Sequence, residues 1–329
     1  MSGIVRKVAF SLVPVAVVGG AGELGLRSAG WPEITDAFEH NSPFWVTDPN
    51  LADKAFPHKE EKRVFKVSSN GDGLRAAGQA REKVDGVTRV MTLGCSTTFG
   101  WGVADNETYP AQLAERFASG GYDTVEVLNG GQPGYTSFQG RWLWDETLRH
   151  YKPDVVLLGY VVQDARKAAY SDKSQAVLQG DSRFLKDNVL YKSRVYLALR
   201  SVLGDFQVKA KERPQNGEGG VYRVPPSDYV DNLRTLVESA DSIGATPVLF
   251  GFPLERGGYT DGHRKILKAA AAELGIPFLD LQPRMEQASR QAQLYFENDR
   301  GHANAAGNST IADWVFEFLV AEQLVDPQG

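Results

Sequence analysis

The chain has 329 residues and a mass of 36.0 kDa, enough for one large α/β domain or two small ones. Hydrophobic residues make up 42% and charged residues 23% of the chain, a globular composition that excludes wholesale disorder. The formal net charge of -5 argues against a nucleic-acid partner, because phosphate binding needs clustered positive charge. The single cysteine, Cys95, excludes an intramolecular disulfide and zinc sites built on several cysteines.

The N-terminal segment has the pattern of a membrane-targeting sequence. Arg6 and Lys7 precede an uncharged, mostly apolar stretch over residues 8–22, which Glu23 ends. The stretch is shorter than the roughly 20 residues usual for a span. We interpret residues 1–26 as a signal anchor or a signal peptide and favour the uncleaved anchor; the alternative is a buried N-terminal helix. The positive charges place the N-terminus inside, so the rest of the chain is expected outside the cytoplasm.

The remaining chain divides into an irregular lead-in and one large α/β domain. Residues 27–85 are rich in proline and charge and predict a stalk and an irregular lead-in. Over residues 86–325, apolar strands alternate with helices, which is typical of a parallel sheet covered on both faces. Residues 166–225 break this rhythm and predict an insertion. The predicted strands lie at 63–67, 89–94, 124–129, 154–159, 246–252 and 277–281, and the predicted helices at 110–118, 138–150, 191–203, 227–243, 262–274 and 306–319.

Polar residues that can perform chemistry follow the ends of these strands, where the working residues of α/β sheets lie. Ser96 follows the first strand of the domain, between two glycines, where the next helix is expected to direct N–H groups at it. Asp299 and His302 precede the last helix. Serine, histidine and aspartate can form a nucleophilic triad, in which the imidazole accepts the serine proton and the carboxylate fixes the imidazole tautomer. The residues alone leave two alternatives open. Ser96 could serve only as a helix N-cap, and Glu297 could be the acid of the triad in place of Asp299.

Four blocks around these residues resemble the SGNH hydrolases, also called GDSL-type esterases and lipases. They cover residues 90–115, 125–140, 153–165 and 299–315. The lead-in and the N-terminal segment are similar to a membrane-anchored or exported bacterial subgroup of that family. The resemblance implies a flavodoxin-like three-layer α/β/α fold and hydrolysis of an acyl ester through an acyl-serine intermediate, without a metal or a cofactor.

The resemblance also implies a role for each site residue. Ser96 is the nucleophile, His302 the general base and then the acid, and Asp299 the residue that orients His302. The oxyanion hole would use the N–H groups of Ser96 and Gly134 and the side-chain amide of Gln163. The chain departs from the family at this last position, where asparagine is usual. Glutamine offers the same N–H donors on a side chain that is one methylene longer.

Several functions and substrates remain open at this level. An extracytoplasmic tether favours an ester of the cell envelope, either a lipid or an O-acetylated glycan. Transfer of the acyl group to another hydroxyl would use the same residues, and a weakly catalytic envelope binding or scaffold protein on the same fold is the alternative that Gln163 supports. A nucleotide-binding oxidoreductase has no support, because the strand–helix turns contain neither GxGxxG nor a P-loop. The oligomeric state is not predicted.

The other residues of catalytic type are assigned structural roles. Cys95 is predicted to pack as a small apolar residue. Four histidines lack a matching context and are predicted to face solvent, namely His40, His58, His150 and His263.

Overall fold

The structure, a computed structural model, divides the chain into two units. The larger unit comprises residues 46–173 and 220–329, and the smaller comprises residues 1–45 and 174–219. Each unit is described below for the residues that have a defined placement. Those residues are 14, 17–31, 45–58, 63–76, 78–168, 170–180, 192–199 and 220–327.

A five-stranded parallel sheet forms the centre of the larger unit. The strands of the chain are β1 (Lys54–His58), β2 (Arg63–Val67), β3 (Thr88–Gly94), β4 (Val125–Asn129), β5 (Val155–Gly159), β6 (Lys167–Ala168), β7 (Val221–Tyr222), β8 (Thr246–Gly251), β9 (Phe278–Asp280), β10 (Tyr295–Phe296) and β11 (Asp299–Ala303). The order in the sheet is β4-β3-β5-β8-β9, and each neighbouring pair is parallel. The chain moves from β3 to β4 on one side and then to β5 on the other. The carboxyl ends of β3 and β5 therefore form the switch point at which sheets of this type bind ligands.

Helices of the larger unit cover both faces of this sheet. The helices that the structure describes over both units are, in chain order, α1 (17–28), α2 (Ser96–Phe99), α3 (Tyr109–Ser119), α4 (Ser137–Glu146), α5 (Asp172–Gly180), α6 (194–199), α7 (Pro226–Asp241), α8 (Asp261–Leu274), α9 (Gln282–Ala288) and α10 (Ala305–Ala321). Helix α3 packs against α10 on one side, whereas α7 packs against both α4 and α8 on the other. Strand β5 is apolar and buried along its whole length, and β3 is buried at every position after Thr88, as expected for central strands that are covered on both faces. The predicted three-layer α/β/α class with a central parallel sheet is confirmed.

Residues before β3 contribute to the larger unit. Strands β1 and β2 form an antiparallel hairpin. Arg75 is fully buried, and its guanidinium donates to the carbonyls of Phe99 and Gly100, both at 2.6 Å, at the C-terminal end of α2. A buried arginine needs such acceptors for its donors. Within the segment expected to be a stalk and lead-in, residues 46–85 thus belong to the unit that contains the sheet.

The smaller unit combines a helix of the N-terminal segment with a helix of the insertion. The carboxylate of Glu23 on α1 accepts hydrogen bonds from the N–H groups of Arg194 and Val195, at 2.9 and 3.0 Å, at the start of α6. These bonds satisfy donors that a helix N-terminus leaves unpaired. Most of the predicted anchor, residues 1–13 and 15–16, lies outside the described residues. Among the helices that the structure describes, none combines the length and the hydropathy that crossing a bilayer requires.

The predicted insertion at 166–225 begins and ends in a short antiparallel pair, β6 with β7. This pair belongs to the larger unit, and residues 174–219 between its strands belong to the smaller one. Helices α5 and α6 are its described helices, so the helix predicted at 191–203 is present over 194–199. Residues 181–191 and 200–219 lie outside the described residues.

Candidate active site

Ser96 occupies a tight turn at the carboxyl end of β3. Gly94 ends the strand, Cys95 caps the next helix, and Ser96 is the first residue of α2. A Cβ at position 94 would lie 2.2 Å from the hydroxyl of Thr98, so only glycine permits this close turn. The helix has four residues. Its dipole is therefore small, and the helix field that the sequence led us to expect at Ser96 is a minor effect.

His302 joins Ser96 to Asp299 through two short hydrogen bonds. The distance between Ser96 Oγ and His302 Nε2 is 2.8 Å, and that between His302 Nδ1 and Asp299 Oδ2 is 2.6 Å. A carboxylate only accepts hydrogen bonds, so Nδ1 carries the proton and Nε2 is the acceptor for the serine hydroxyl. Glu297, the rival acid, is exposed. The structure thus brings together the three residues that the sequence selected.

The environment of Asp299 keeps its carboxylate ionised. Burial acts to raise the pKa of Asp299, but hydrogen bonds from His302, Gly301 and His58 outweigh it and hold the pKa below its usual range. The N–H of Gly301 donates to the second carboxylate oxygen at 3.1 Å. An ionised carboxylate at this place favours the imidazolium that forms when His302 accepts a proton.

His58 is a site residue that the sequence reasoning missed. The solvent-facing position predicted for it is wrong, because the β1–β2 hairpin buries its side chain to 1% exposure. Its Nε2 lies 3.4 Å from Oδ2 of Asp299, and its ring packs on Phe296 with the centroids 4.4 Å apart. No local pattern identifies it, because the contact joins residues 241 positions apart (299 − 58). His263 is also buried, bonded to the Val224 carbonyl, so the same prediction is wrong there.

His150 is exposed as predicted, and His40 lies outside the described residues. Cys95 is buried as predicted. Burial raises the pKa of its thiol, which keeps the sulfur protonated and unreactive.

The two remaining candidates for an oxyanion hole lie in the turns after β4 and β5. Gly134 has a φ of +75°, which favours glycine, and a Cβ there would meet open space. Its carbonyl and the side-chain Oε1 of Gln163 both accept from one nitrogen, Nη1 of Arg223, at 2.8 and 3.1 Å. The structure therefore brings Gly134 and Gln163 together. Arg223 was missed by the sequence reasoning, because no motif marks an arginine inside the insertion.

Asp164, next to Gln163, is fully buried. It accepts a hydrogen bond of 2.9 Å from the N–H of Ser137 at the start of α4. Burial raises the pKa of Asp164 to about 6, against the opposing effect of Ser137. The site thus contains two aspartates whose pKa values shift in opposite directions.

A serine, a histidine and an aspartate joined at the carboxyl edge of a parallel sheet form the arrangement of a serine hydrolase. The chain itself belongs to the GDSL-like lipase/acylhydrolase family, whose model matches residues 92–309. Membership of this family makes the protein an ester-hydrolysing enzyme. The matched range contains Ser96, Asp299 and His302 and leaves out the hairpin that carries His58.

Two solved structures to which the chain is similar are described as an acetylxylan esterase and a lipase/acylhydrolase. A catalytic mutant of Axe2, an acetylxylan esterase from Geobacillus stearothermophilus, matches with a TM-score of 0.49 and 17% identity over 72% of this chain and 96% of that one. A lipase/acylhydrolase from Enterococcus faecalis matches with a TM-score of 0.48 and 14% identity, over 74% of this chain and 100% of that one. No curated protein sequence matches the chain.

Proposed function

We propose that the protein hydrolyses an acyl ester through a covalent acyl-Ser96 intermediate. The observation that carries this proposal is the unbroken series of hydrogen bonds from Ser96 through His302 to Asp299. In the first step Ser96 Oγ attacks the ester carbonyl carbon while its proton passes to His302 Nε2. Asp299 accepts a hydrogen bond from His302 Nδ1–H and stabilises the resulting imidazolium.

The same histidine then completes both halves of the reaction. When the tetrahedral intermediate collapses, the bond to the alcohol oxygen breaks and His302 Nε2–H gives that oxygen its proton. Water next attacks the acyl-Ser96 carbonyl, and its proton passes to Nε2. Collapse of the second intermediate releases the carboxylic acid and returns the proton to Ser96 Oγ. The enzyme ends in its starting state.

Charge on the carbonyl oxygen needs donors in both intermediates. The candidates are the N–H groups of Ser96 and Gly134 and the Nε2 amide of Gln163. Their position at the ends of β3, β4 and β5, three neighbouring strands, supports this assignment. Preorganised donors of this kind account for a large share of catalysis in such sites.

The experiment that tests the proposal is labelling with a fluorophosphonate probe followed by turnover of short p-nitrophenyl esters. Wild type should label with one probe per chain, and Ser96→Ala should neither label nor turn over. The matched control is Ser119→Ala, which removes an exposed hydroxyl bonded to its own helix and should leave both readouts unchanged. Labelling of Ser96→Ala at the wild-type rate would refute the assigned nucleophile.

We also propose that the enzyme acts outside the cytoplasm, tethered by residues 1–26, on an envelope lipid or an O-acetylated glycan. The support is the positive pair Arg6 and Lys7 ahead of the apolar stretch over residues 8–22. Deletion of residues 1–26 should release the protein from sedimented membranes, and continued sedimentation contradicts the tether. A panel of esters of increasing chain length and acetylated sugars, scored for free acid, identifies the substrate and separates hydrolysis from acyl transfer.

A further inference from the structure

Arg223 connects the insertion to the two turns that carry the candidate oxyanion donors. It follows β7, and its backbone is fixed on both sides: its N–H donates to the Arg166 carbonyl and its carbonyl accepts from the Asp172 N–H, both at 2.8 Å. A guanidinium has five N–H donors, and here each has an acceptor. The acceptors are both carboxylate oxygens of Asp172 at 3.0 and 2.8 Å, Gln139 Oε1 at 3.2 Å, the Gly134 carbonyl at 2.8 Å and Gln163 Oε1 at 3.1 Å.

The pair of Arg223 and Asp172 is held firmly. The side chain of Asp172 is 6% exposed and that of Arg223 is 20% exposed. The hydroxyl of Thr136 donates to Asp172 at 2.7 Å, which fixes the carboxylate from the α4 side. Two parallel N–H···O bonds between an arginine and a carboxylate restrict the guanidinium to one plane. The nitrogen that faces Gly134 and Gln163 is therefore fixed in direction.

This fixed nitrogen decides which way the Gln163 amide points. A guanidinium donates and never accepts, so the atom of Gln163 that faces Arg223 is the oxygen. The amide is planar, and Nε2 consequently lies at its other edge, away from the guanidinium. In the described part of the chain, no acceptor takes a hydrogen bond from this Nε2. The N–H donors of Gln163 remain available for a substrate oxygen.

We propose that Arg223 is a positioning residue that presents the Gln163 amide to the oxyanion, an inference that rests on the proposed function. Glutamine has one more rotatable bond than the asparagine usual at this position, and that freedom must be removed before a donor is preorganised. The bond from Nη1 to Oε1 removes it. The bond from the same nitrogen to the Gly134 carbonyl restrains the second donor turn. Through Arg223 the insertion thereby orients the Gln163 side chain, which would otherwise rotate freely in the proposed oxyanion hole.

The test is a double-mutant cycle between Arg223→Met and Gln163→Ala, measured as kcat and KM on a short p-nitrophenyl ester. Arg223→Met should lower kcat about 10- to 100-fold in the wild-type background with little change in KM, since the lost interaction forms in the transition state. In the Gln163→Ala background the same change should lower kcat less than about fivefold, because the amide that Arg223 holds is absent. Arg223→Lys, which keeps the charge and loses the fork, should not restore kcat.

The control and a second variant separate positioning from folding. Arg116→Met removes an arginine of α3 that pairs with Asp313 of α10 at 2.6 Å, and it should leave kcat unchanged. Asp172→Asn keeps the shape of the carboxylate and loses its charge. It should reproduce the loss of kcat even if Arg223→Met does not fold, and complete labelling at long times should show that its site is folded. Equal losses in both backgrounds, or no loss at all, overturn the role of Arg223. Absence of Ser96-dependent turnover in wild type overturns the proposed function itself.

Discussion

The two halves of the proposed active site are built in different ways. The proposed acid–base half consists of Ser96, His302 and Asp299, and its two hydrogen bonds involve residues that short motifs already mark. The oxyanion half includes Gly134 and Gln163, which are held together by an arginine from an insertion. The first half depends on side chains with one possible chemical role. The second depends on the direction of an amide, which neighbours must fix. We therefore expect substitutions in the first half to abolish nearly all turnover, and substitutions in the second half to lower kcat by graded amounts.

The largest effect is expected from loss of the base. His302→Ala should lower kcat by at least about 10³-fold, because Ser96 then has no acceptor for its proton. The measurement is turnover of short p-nitrophenyl esters at saturating substrate. His150→Ala, at an exposed histidine away from these bonds, is the control and should behave as wild type. Activity of His302→Ala within threefold of wild type would mean that the base is another residue.

The next largest effect is expected from loss of the Gln163 amide, which tests the proposed oxyanion half directly. Gln163→Ala should lower kcat about 10²- to 10³-fold, the usual result of removing one oxyanion donor, with KM nearly unchanged. Gln163→Asn keeps the amide and shortens the side chain, so the bond to Arg223 is lost. It should recover only part of the activity. Full activity of Gln163→Ala would show that the backbone donors of Ser96 and Gly134 suffice.

The two halves should also differ in the pH dependence of folding. The folded pKa of Asp164 is raised to about 6, so the folded state retains a proton that the unfolded state has lost above about pH 4. The retained proton on Asp164 therefore contributes fully to the free energy of unfolding below about pH 4, and this contribution is lost as pH rises through 6. The free energy of unfolding of wild type should therefore fall relative to Asp164→Asn across this window, by about 1.4 kcal/mol for each unit of pKa shift. Denaturant titrations from pH 3 to 8 measure it.

Asp299 provides the opposite sign in the same titrations. Its folded pKa lies below the usual range, so its contribution is present above the unfolded pKa and is lost as pH falls through the folded one. Wild type should gain stability over Asp299→Asn as pH rises towards the unfolded pKa of about 4 and keep that gain above it. The same direction of change for both variants contradicts the assigned environments.

The smallest effect is expected at His58. Replacing His58 by Phe removes one donor near Asp299 while filling the space against Phe296. Because His302 still binds Asp299, kcat should fall by about tenfold or less. His58→Gln, which keeps a donor, should restore part of the loss. A loss as large as that of His302→Ala would place His58 in the reaction itself.

Much of the fold and half of the site follow from local sequence. The apolar strands 88–94, 155–159 and 246–251 lie within about two residues of their predicted ends, because a strand buried on both faces has a continuous apolar run. Helix α9 and the short strands β10 and β11 were not predicted. They are brief, and their packing against the core, not their own periodicity, determines them. Asp299 and His302 lie three residues apart on β11, and this short spacing made the pair recognisable in the sequence.

The sequence by itself determined the candidates whose motifs are contiguous along the chain, namely Ser96 in its glycine turn and the Asp299–His302 pair. Their roles came from the resemblance of those blocks to a known family. Burial of His58, the shifted pKa of Asp164 and the five hydrogen bonds of Arg223 were decided by the tertiary structure. Each depends on segments that folding brings together from distant parts of the chain. A hydrogen bond or a desolvated charge that involves such segments leaves no pattern in the local sequence. The sequence supplied the candidate groups, and only folding determined the pKa shifts of Asp164 and Asp299 and the direction of the Gln163 amide.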